Sequence, residues 1–299
     1  MIDFKPIEAG DKPLYESYLH SSLRRGCEFS FLNIFLWGQQ SYALLNGCLV
    51  LLSRFNNTYY YSYPLGQGDV EKTVEDIIVD SKKREIVCRI NGIMPQEKIL
   101  LESKFPDRFT FTTTPDSYDY VYDINDLAEL SGKKYHGKRN HINRFCQSYP
   151  DYDVEHICDK NIAFVREMAD KWFNEREARV PLHTFDMERA ALTRLFDNFS
   201  ALDAEGLILK YKNEILAFTV GSAFYKDIFD VHFEKASHDT DGAYTVINRE
   251  FARYIRNKFP EVRFLDREED MGLEGLRRAK QSYRPVSQIE KWRAKLKDE

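Results

Sequence analysis

The run Leu207-Ile208-Leu209-Lys210-Tyr211 leads through the polar step Lys212-Asn213-Glu214 into the apolar stretch Ile215 to Phe224. A second polar step, Tyr225-Lys226-Asp227, opens Ile228 to Phe233. Apolar runs of this length, parted by short turn-forming clusters, read as three strands in a meander. Gly221-Ser222 interrupts the middle strand, where a glycine marks a bulge or a close backbone approach. After the meander, Val246, Ile247, Phe251, Tyr254 and Ile255 fall on one face of a helix over Ala243 to Lys258. A strand over Val262 to Leu265 and a helix over Leu273 to Ser282 follow, and Ser287 to Leu296 reads as a closing helix. Two helices precede the meander, one marked by Ile162, Val165, Ala169, Trp172 and Phe173, the other by Leu192, Leu195, Phe196 and Phe199.

The first half carries the same order. Pro13 to Ser21 and Ser30 to Trp37 read as short helices. Tyr42 to Leu45 and Cys48 to Phe55 flank Asn46-Gly47, the strongest short hairpin signal. A turn at Asn56-Asn57 leads to a strand over Tyr59 to Tyr63, then come a helix (Asp69 to Ser81), a strand (Ile86 to Ile90), a helix (Gln96 to Lys104) and a strand (Phe109 to Thr113). The element order therefore occurs twice, without residue-level identity between the copies. Antiparallel hairpins mixed with helical crossovers give an α+β fold with mixed sheets. The expected domains are 1–149 and 150–299, with the boundary near Pro150.

Composition narrows the function. The net charge of −5 over 299 residues argues against indiscriminate nucleic-acid binding, which needs a basic surface overall. Five widely spaced cysteines with no C-x-x-C pair suggest neither a disulfide framework nor a zinc site, and fit a reducing compartment. No signal sequence opens the chain and no apolar run approaches the roughly 20 residues of a spanning helix. The expectation is a soluble, cytoplasmic protein.

Against that acidic background, Gly132 to Phe145 carries Lys133, Lys134, Lys138, Arg139 and Arg144 with no acidic residue. Tyr135, Ile142 and Phe145 can share one helical face, leaving the cations on another. Near the end of the chain Arg277, Lys280 and Arg284 recur at helical spacing, with Arg278 beside them. Two such stripes, meeting between the domains, would form a bipartite anion groove. Alternatively they are solvated charge, paired in the second case with Asp266, Glu268, Glu269 and Asp270. His136 and His141, five apart on a helix, have the wrong spacing for one metal ion, and no metal site is expected.

Three stretches carry a family resemblance: Lys133 to Asn143, Gly242-Ala243-Tyr244 with Asn248, and Arg267 to Arg277. With the duplicated element order, they make the chain resemble the bacterial family sharing the phosphatidylglycerol lysyltransferase C-terminal domain. That family has a tandem GNAT-like (acyl-CoA N-acyltransferase-like) fold and is related to the Fem-type aminoacyl and peptidyl transferases. The resemblance implies an aminoacyltransferase with no cofactor, taking its aminoacyl group from aminoacyl-tRNA to an amine- or hydroxyl-bearing acceptor. A lipid at a membrane surface, a peptide and a cell-wall precursor are all open as acceptors. It places the tRNA backbone or other phosphates against Lys134, Lys138, Arg139, Asn140, His141, Arg144, Arg277, Arg278, Tyr283 and Arg284. By similarity to the Fem-type enzymes, Lys280, just ahead of Ser282-Tyr283, stabilises the oxyanion. Asp266, at a strand end, is the candidate proton acceptor, with Asp270 and His232 as alternatives.

Two other readings stand beside this one. An N-acyltransferase using acyl-CoA would need a phosphate cradle where a helix opens after each meander. Those places read His238-Asp239-Thr240-Asp241-Gly242-Ala243 and Leu65-Gly66-Gln67-Gly68-Asp69. Their glycines suit a cradle, while Asp239 and Asp241 would repel phosphate. A non-catalytic module binding tRNA or another polyanion would show the same basic stripes.

Overall fold

The computed structural model describes residues 1–55, 57–177 and 185–297. Asn56 of the expected Asn56-Asn57 turn lies outside them. In chain order the first elements are β1 (Lys5–Pro6), α1 (Lys12–Ser22), α2 (Phe31–Leu36), β2 (Gln39–Leu45), β3 (Cys48–Phe55), β4 (Thr58–Ser62), α3 (Val70–Lys83), β5 (Arg89–Ile93), α4 (Pro95–Lys104) and β6 (Phe109–Thr113). There follow β7 (Asp119–Asp123), α5 (Ile124–Glu129), α6 (His136–Ser148), β8 (Asp153–His156), α7 (Ile162–Glu177), α8 (Asp186–Asn198), β9 (Glu205–Tyr211), β10 (Glu214–Tyr225), β11 (Ile228–Ala236) and α9 (Ala243–Lys258). The chain closes with β12 (Phe264–Asp266), α10 (Glu274–Gln281), β13 (Ser287–Ile289) and β14 (Trp292–Leu296).

Two compact units result. One comprises Met1–Asp119, Glu269–Glu274 and the C-terminal segment from Gln288; the other comprises Tyr120–Glu268 and Gly275–Ser287. The units therefore part at Asp119, where the sequence suggested Pro150. The reason lies in α6, whose Ile142 and Phe145, with Tyr135 just before it, are buried in one core with Val246, Phe251 and Ile255 of α9. The basic helix belongs to the second unit.

In the first unit the sheet order is β1-β2-β3-β4-β5-β14-β6. Asn46 and Gly47 both take positive φ (51° and 78°), the geometry of a two-residue type I′ hairpin, which matches the twist of β2 and β3. Asp69 caps α3 by accepting from the Lys72 amide at 2.9 Å, and α3 buries Val74, Ile77 and Ile78 against Val50, Tyr61 and Ile90 of the sheet. The expected closing helix is instead strand. Trp292, Ala294 and Leu296 alternate with the exposed Arg293 and Lys295, and β14 pairs with both β5 and β6. Just before β14, Lys291 reaches Asp119 Oδ1 at 2.6 Å and Glu28 Oε2 at 2.8 Å. Burial works against its charge, yet Asp119, Cys27 and Glu28 together hold the ammonium pKa well above its ordinary value.

In the second unit the strand order is β13-β7-β12-β11-β10-β9-β8, with β12 parallel to β11 and the β9-β10-β11 meander antiparallel. The register slips between Val220 and Gly221: they face Phe233 and Val231, so His232 is the extra residue of a bulge on β11 opposite Gly221, and a side chain at Gly221 would strike the Asp230 backbone. The helix α9 lays Val246, Ile247, Phe251 and Ile255 on the sheet. Each such side chain contributes about 1.5–3 kcal/mol on full burial.

Candidate active site

Lys138 lies in the first turn of α6, and its Nζ stands 3.6 Å from the centre of the Tyr283 ring, just beyond α10. Among the described residues Lys138 Nζ makes no hydrogen bond or ion pair. Burial, and then the nearby charge of Arg267, lower its pKa to about 8, against a weaker pull from Glu234. An ammonium held only by an aromatic face is poorly compensated, so the neutral amine is within reach near pH 8.

Arg267, the residue after β12, shares that ring. Its guanidinium carbon lies 4.9 Å from the centre of Tyr283 and 5.7 Å from that of Tyr122. Arg267 Nη2 donates to Glu234 Oε1 at 2.8 Å, while the buried Nη1 has no acceptor among the described residues. From α9, the buried Asn248 donates through Nδ2 to Glu234 Oε2 at 3.2 Å. A carboxylate only accepts, which fixes the amide with its nitrogen toward Glu234. Asn248 Oδ1 is then the buried oxygen without a protein donor. Glu234 thus holds two groups, each of which leaves one polar atom uncommitted. Such atoms cost about 1–3 kcal/mol each when nothing meets them, which makes this cluster the candidate site.

Both catalytic candidates read from the sequence lie behind this site. Lys280 is buried; its ammonium donates to the carbonyls of Arg267 and of Glu268, the latter at 3.0 Å. Asp266 is fully buried, and its Oδ1 accepts from the Glu268 amide at 2.8 Å, an Asx turn that bends the chain past β12. Both side chains hold the backbone on which Arg267 stands.

The anion-binding candidates scatter. Lys138 and Tyr283 meet at the site. Lys134 pairs with Asp126 at 2.7 Å, and Arg139 donates to the carbonyls of Leu130 and Gly132, closing the end of α5. Asn140 contacts His136 at 3.2 Å. His141 and Arg144 grip Asp241 at 3.1 and 3.0 Å, and these contacts lower the Asp241 pKa. Arg278 and Arg284 are exposed and Arg277 is half-buried. Both stripes belong to the second unit, so they do not come from separate domains as expected. Gly242 (φ 85°) does serve a close backbone approach, but the approaching atom is the His141 carbonyl oxygen, 2.6 Å from where a side chain would begin. At Gly68 the neighbour is likewise the backbone of Asn46-Gly47.

Glu234 is absent from the residues singled out in the sequence, while Arg267 and Asn248 stand there only as motif positions with no role in binding or chemistry. Asn248 had a signal: it follows Ile247 inside the apolar stripe of α9, where a polar residue needs a reason. Glu234 gave no such signal, because a bulge at His232 breaks the alternation of β11 just before it.

Two mixed sheets, each flanked by helices and built on a repeated element order, define a tandem GNAT-like protein. The tandem GNAT protein from the clavulanic acid biosynthesis pathway superposes with a TM-score of 0.53 at 9% identity, covering 100% of both chains. L-PGS from Bacillus licheniformis gives 0.66 at 16% identity, over 97% of this chain and 93% of that one. A conserved protein of unknown function from Bacteroides thetaiotaomicron is 37% identical over 99% of this chain and 100% of its own, with a TM-score of 0.91. The family model described as phosphatidylglycerol lysyltransferase, C-terminal, matches residues 20–295, and the chain belongs to that family. No curated protein matches the sequence. No helix among the described residues is long and apolar enough to cross a membrane.

Proposed function

We propose that the chain is an aminoacyltransferase that moves an aminoacyl group from aminoacyl-tRNA to an amine or hydroxyl of an acceptor, with Lys138, Arg267 and Asn248 at the reacting atoms. The observation that carries this reading is the poorly compensated Lys138 ammonium beside two buried, uncommitted polar atoms. The acceptor's nitrogen or oxygen attacks the ester carbonyl carbon as neutral Lys138 takes its proton. Negative charge develops on the carbonyl oxygen, and Arg267 Nη1 donates to it. The ester C–O bond then breaks, and the proton held by Lys138 passes to the departing ribose hydroxyl. Asn248 Oδ1 accepts a hydrogen bond from the attacking group or from the aminoacyl ammonium. Glu234 fixes Arg267 and Asn248 through opposite oxygens. Lys280 and Asp266 are positioning residues.

Family membership supports aminoacyl transfer; the acceptor, whether lipid, peptide or cell-wall precursor, is left to experiment. The acyl-CoA reading is disfavoured because the start of α9 faces the His141 carbonyl and carries Asp241. A non-catalytic polyanion binder would leave Lys138 without a task. The test is a titration of purified protein with deacylated tRNA and with CoA at two salt concentrations. Affinity for tRNA that falls with salt, less steeply in an Arg278→Ala, Arg284→Ala variant, supports the donor assignment. Binding of CoA without tRNA overturns it.

A further inference from the structure

A second cluster of chemistry-bearing side chains lies in the same unit and has no part in the transfer mechanism. Asp230 and His232 stand two residues apart on β11, His232 at the bulge, and their side chains meet. Glu268 lies two residues past Asp266, which registers against Asp230 across the β11–β12 ladder. His232 Nδ1 is 3.1 Å from Glu268 Oε1 and 3.6 Å from Asp230 Oδ2, and one ligand atom from each of the three residues lies within 4.8 Å of the others. Behind the ring, His232 Nε2 is 2.9 Å from the hydroxyl of the buried Ser222.

We propose that Asp230, His232 and Glu268 bind a divalent transition-metal ion, Zn²⁺ in the first place. Ligand atoms about 2.0–2.2 Å from a tetrahedral ion stand roughly 3.3–3.6 Å from one another, and the two distances to His232 Nδ1 bracket that edge. One imidazole N–H points along a single line and cannot serve two carboxylates equally, whereas a cation takes a lone pair from each of three donors. Ser222 stands where the supporting group of a metal-bound imidazole belongs. By accepting the Nε2 proton it turns the Nδ1 lone pair toward the carboxylates. One imidazole with two carboxylates suits a borderline ion such as Zn²⁺. Three protein ligands leave a position for water, and the Glu268 side chain, 19% exposed, gives the route in. The ion would tie β11 to the segment that carries Arg267.

The other grouping of such residues, Cys27, Asp119 and Glu269 in the first unit, differs in one respect. There Lys291 Nζ sits among the donors, 2.6 Å from Asp119 Oδ1 and 3.3 Å from Cys27 Sγ, so the cation is the protein's own. The site on β11 escapes a search for helical histidine spacing because its ligands come from a strand and from the chain past its neighbour.

The test uses chelator-treated full-length protein titrated calorimetrically with ZnCl₂, with thermal melting in parallel. One equivalent is expected to bind with micromolar or tighter affinity and to raise the melting temperature. Glu268→Gln, a partly exposed position that leaves folding intact, is expected to weaken binding at least about tenfold. Ser222→Ala is expected to weaken it about 10–100-fold, while His238→Gln, at an exposed histidine, leaves it unchanged. Absence of one-to-one binding overturns the proposal, as does binding that survives Glu268→Gln and Ser222→Ala. In that case Ser222 donates to Nε2, Nδ1–H donates to Glu268, and the cluster is a proton-ordered pair of hydrogen bonds.

Discussion

Lys138 Nζ rests 3.6 Å from the centre of the Tyr283 ring and has no carboxylate partner among the described residues. A basic stripe therefore turns its least compensated cation inward, while Lys134, Arg139 and Arg144 are satisfied by Asp126, by the end of α5 and by Asp241.

From this follows a pH dependence. The Lys138 pKa is lowered to about 8, so the neutral amine grows between pH 7 and 9 and transfer should rise with pH, levelling above about 8. Lys138→Met is expected to reduce the rate by about 10²–10⁴-fold. Lys138→Arg should not rescue it, because a guanidinium stays protonated. The effect on stability has the opposite sign. With a folded pKa below the unfolded value of about 10.4, the lysine costs stability at neutral pH, and that cost fades as pH rises from 8 toward 10.4. Lys138→Met should then melt no lower than the parent at pH 7.

Lys280→Met should behave the other way round. Its ammonium meets the carbonyls of Arg267 and Glu268, and leaving those without a donor costs about 1–3 kcal/mol. Urea unfolding is expected to shift accordingly, with transfer falling as Arg267 loosens. Full stability with abolished transfer would instead place Lys280 at the reacting atoms.

The Arg267–Glu234 pair allows a double-mutant cycle. Both side chains are largely buried (13% and 10% exposed), so Arg267→Met alone should destabilise by about 3 kcal/mol by stranding Glu234. Adding Glu234→Gln should recover about 1 kcal/mol or more of stability and none of the transfer activity. Denaturant midpoints and single-turnover rates on the four proteins check both statements.

In the first unit the sensitive point is the end of the chain. Lys291→Met leaves the buried Asp119 without its closest cation and is expected to cost about 3–5 kcal/mol. Because the Lys291 pKa is raised, its contribution is fully present below about pH 10 and is lost as pH climbs through the folded value. Removing the chain from Lys291 onward strips β14 from between β5 and β6 and should abolish cooperative unfolding of this unit, as read by circular dichroism.

Much of this fold is legible in local chemistry. Asn46-Gly47 declares its hairpin, and the apolar stripe of α9 declares its helix. The failures share one cause, which is pairing across long sequence separation. Trp292, Ala294 and Leu296 have the period of a strand, but three short alternations do not announce that β5 and β6, nearly 200 residues upstream, will receive them. The short β7 and α5 lie between aromatic residues and a basic run, and no local signal in the sequence marks the division at Asp119. At the site, Lys138 and Tyr283 are each named from the sequence as anion-binding candidates, but in separate motifs. That Glu234 would join Arg267 to Asn248 depends on three elements converging, which no spacing records.

In the proposed mechanism Lys138 is the proton acceptor of an aminoacyl transfer. The most direct measurement is the rate at which labelled aminoacyl ester leaves a mixed aminoacyl-tRNA pool, with phosphatidylglycerol vesicles or soluble amines as acceptors. It should be followed across pH 6.5–9.5 for the parent and Lys138→Met. Acceptor-dependent loss of ester is expected in the parent, rising to a plateau above about pH 8, with a slow, flat profile in the variant. Equal rates and equal pH profiles for the two proteins would contradict it.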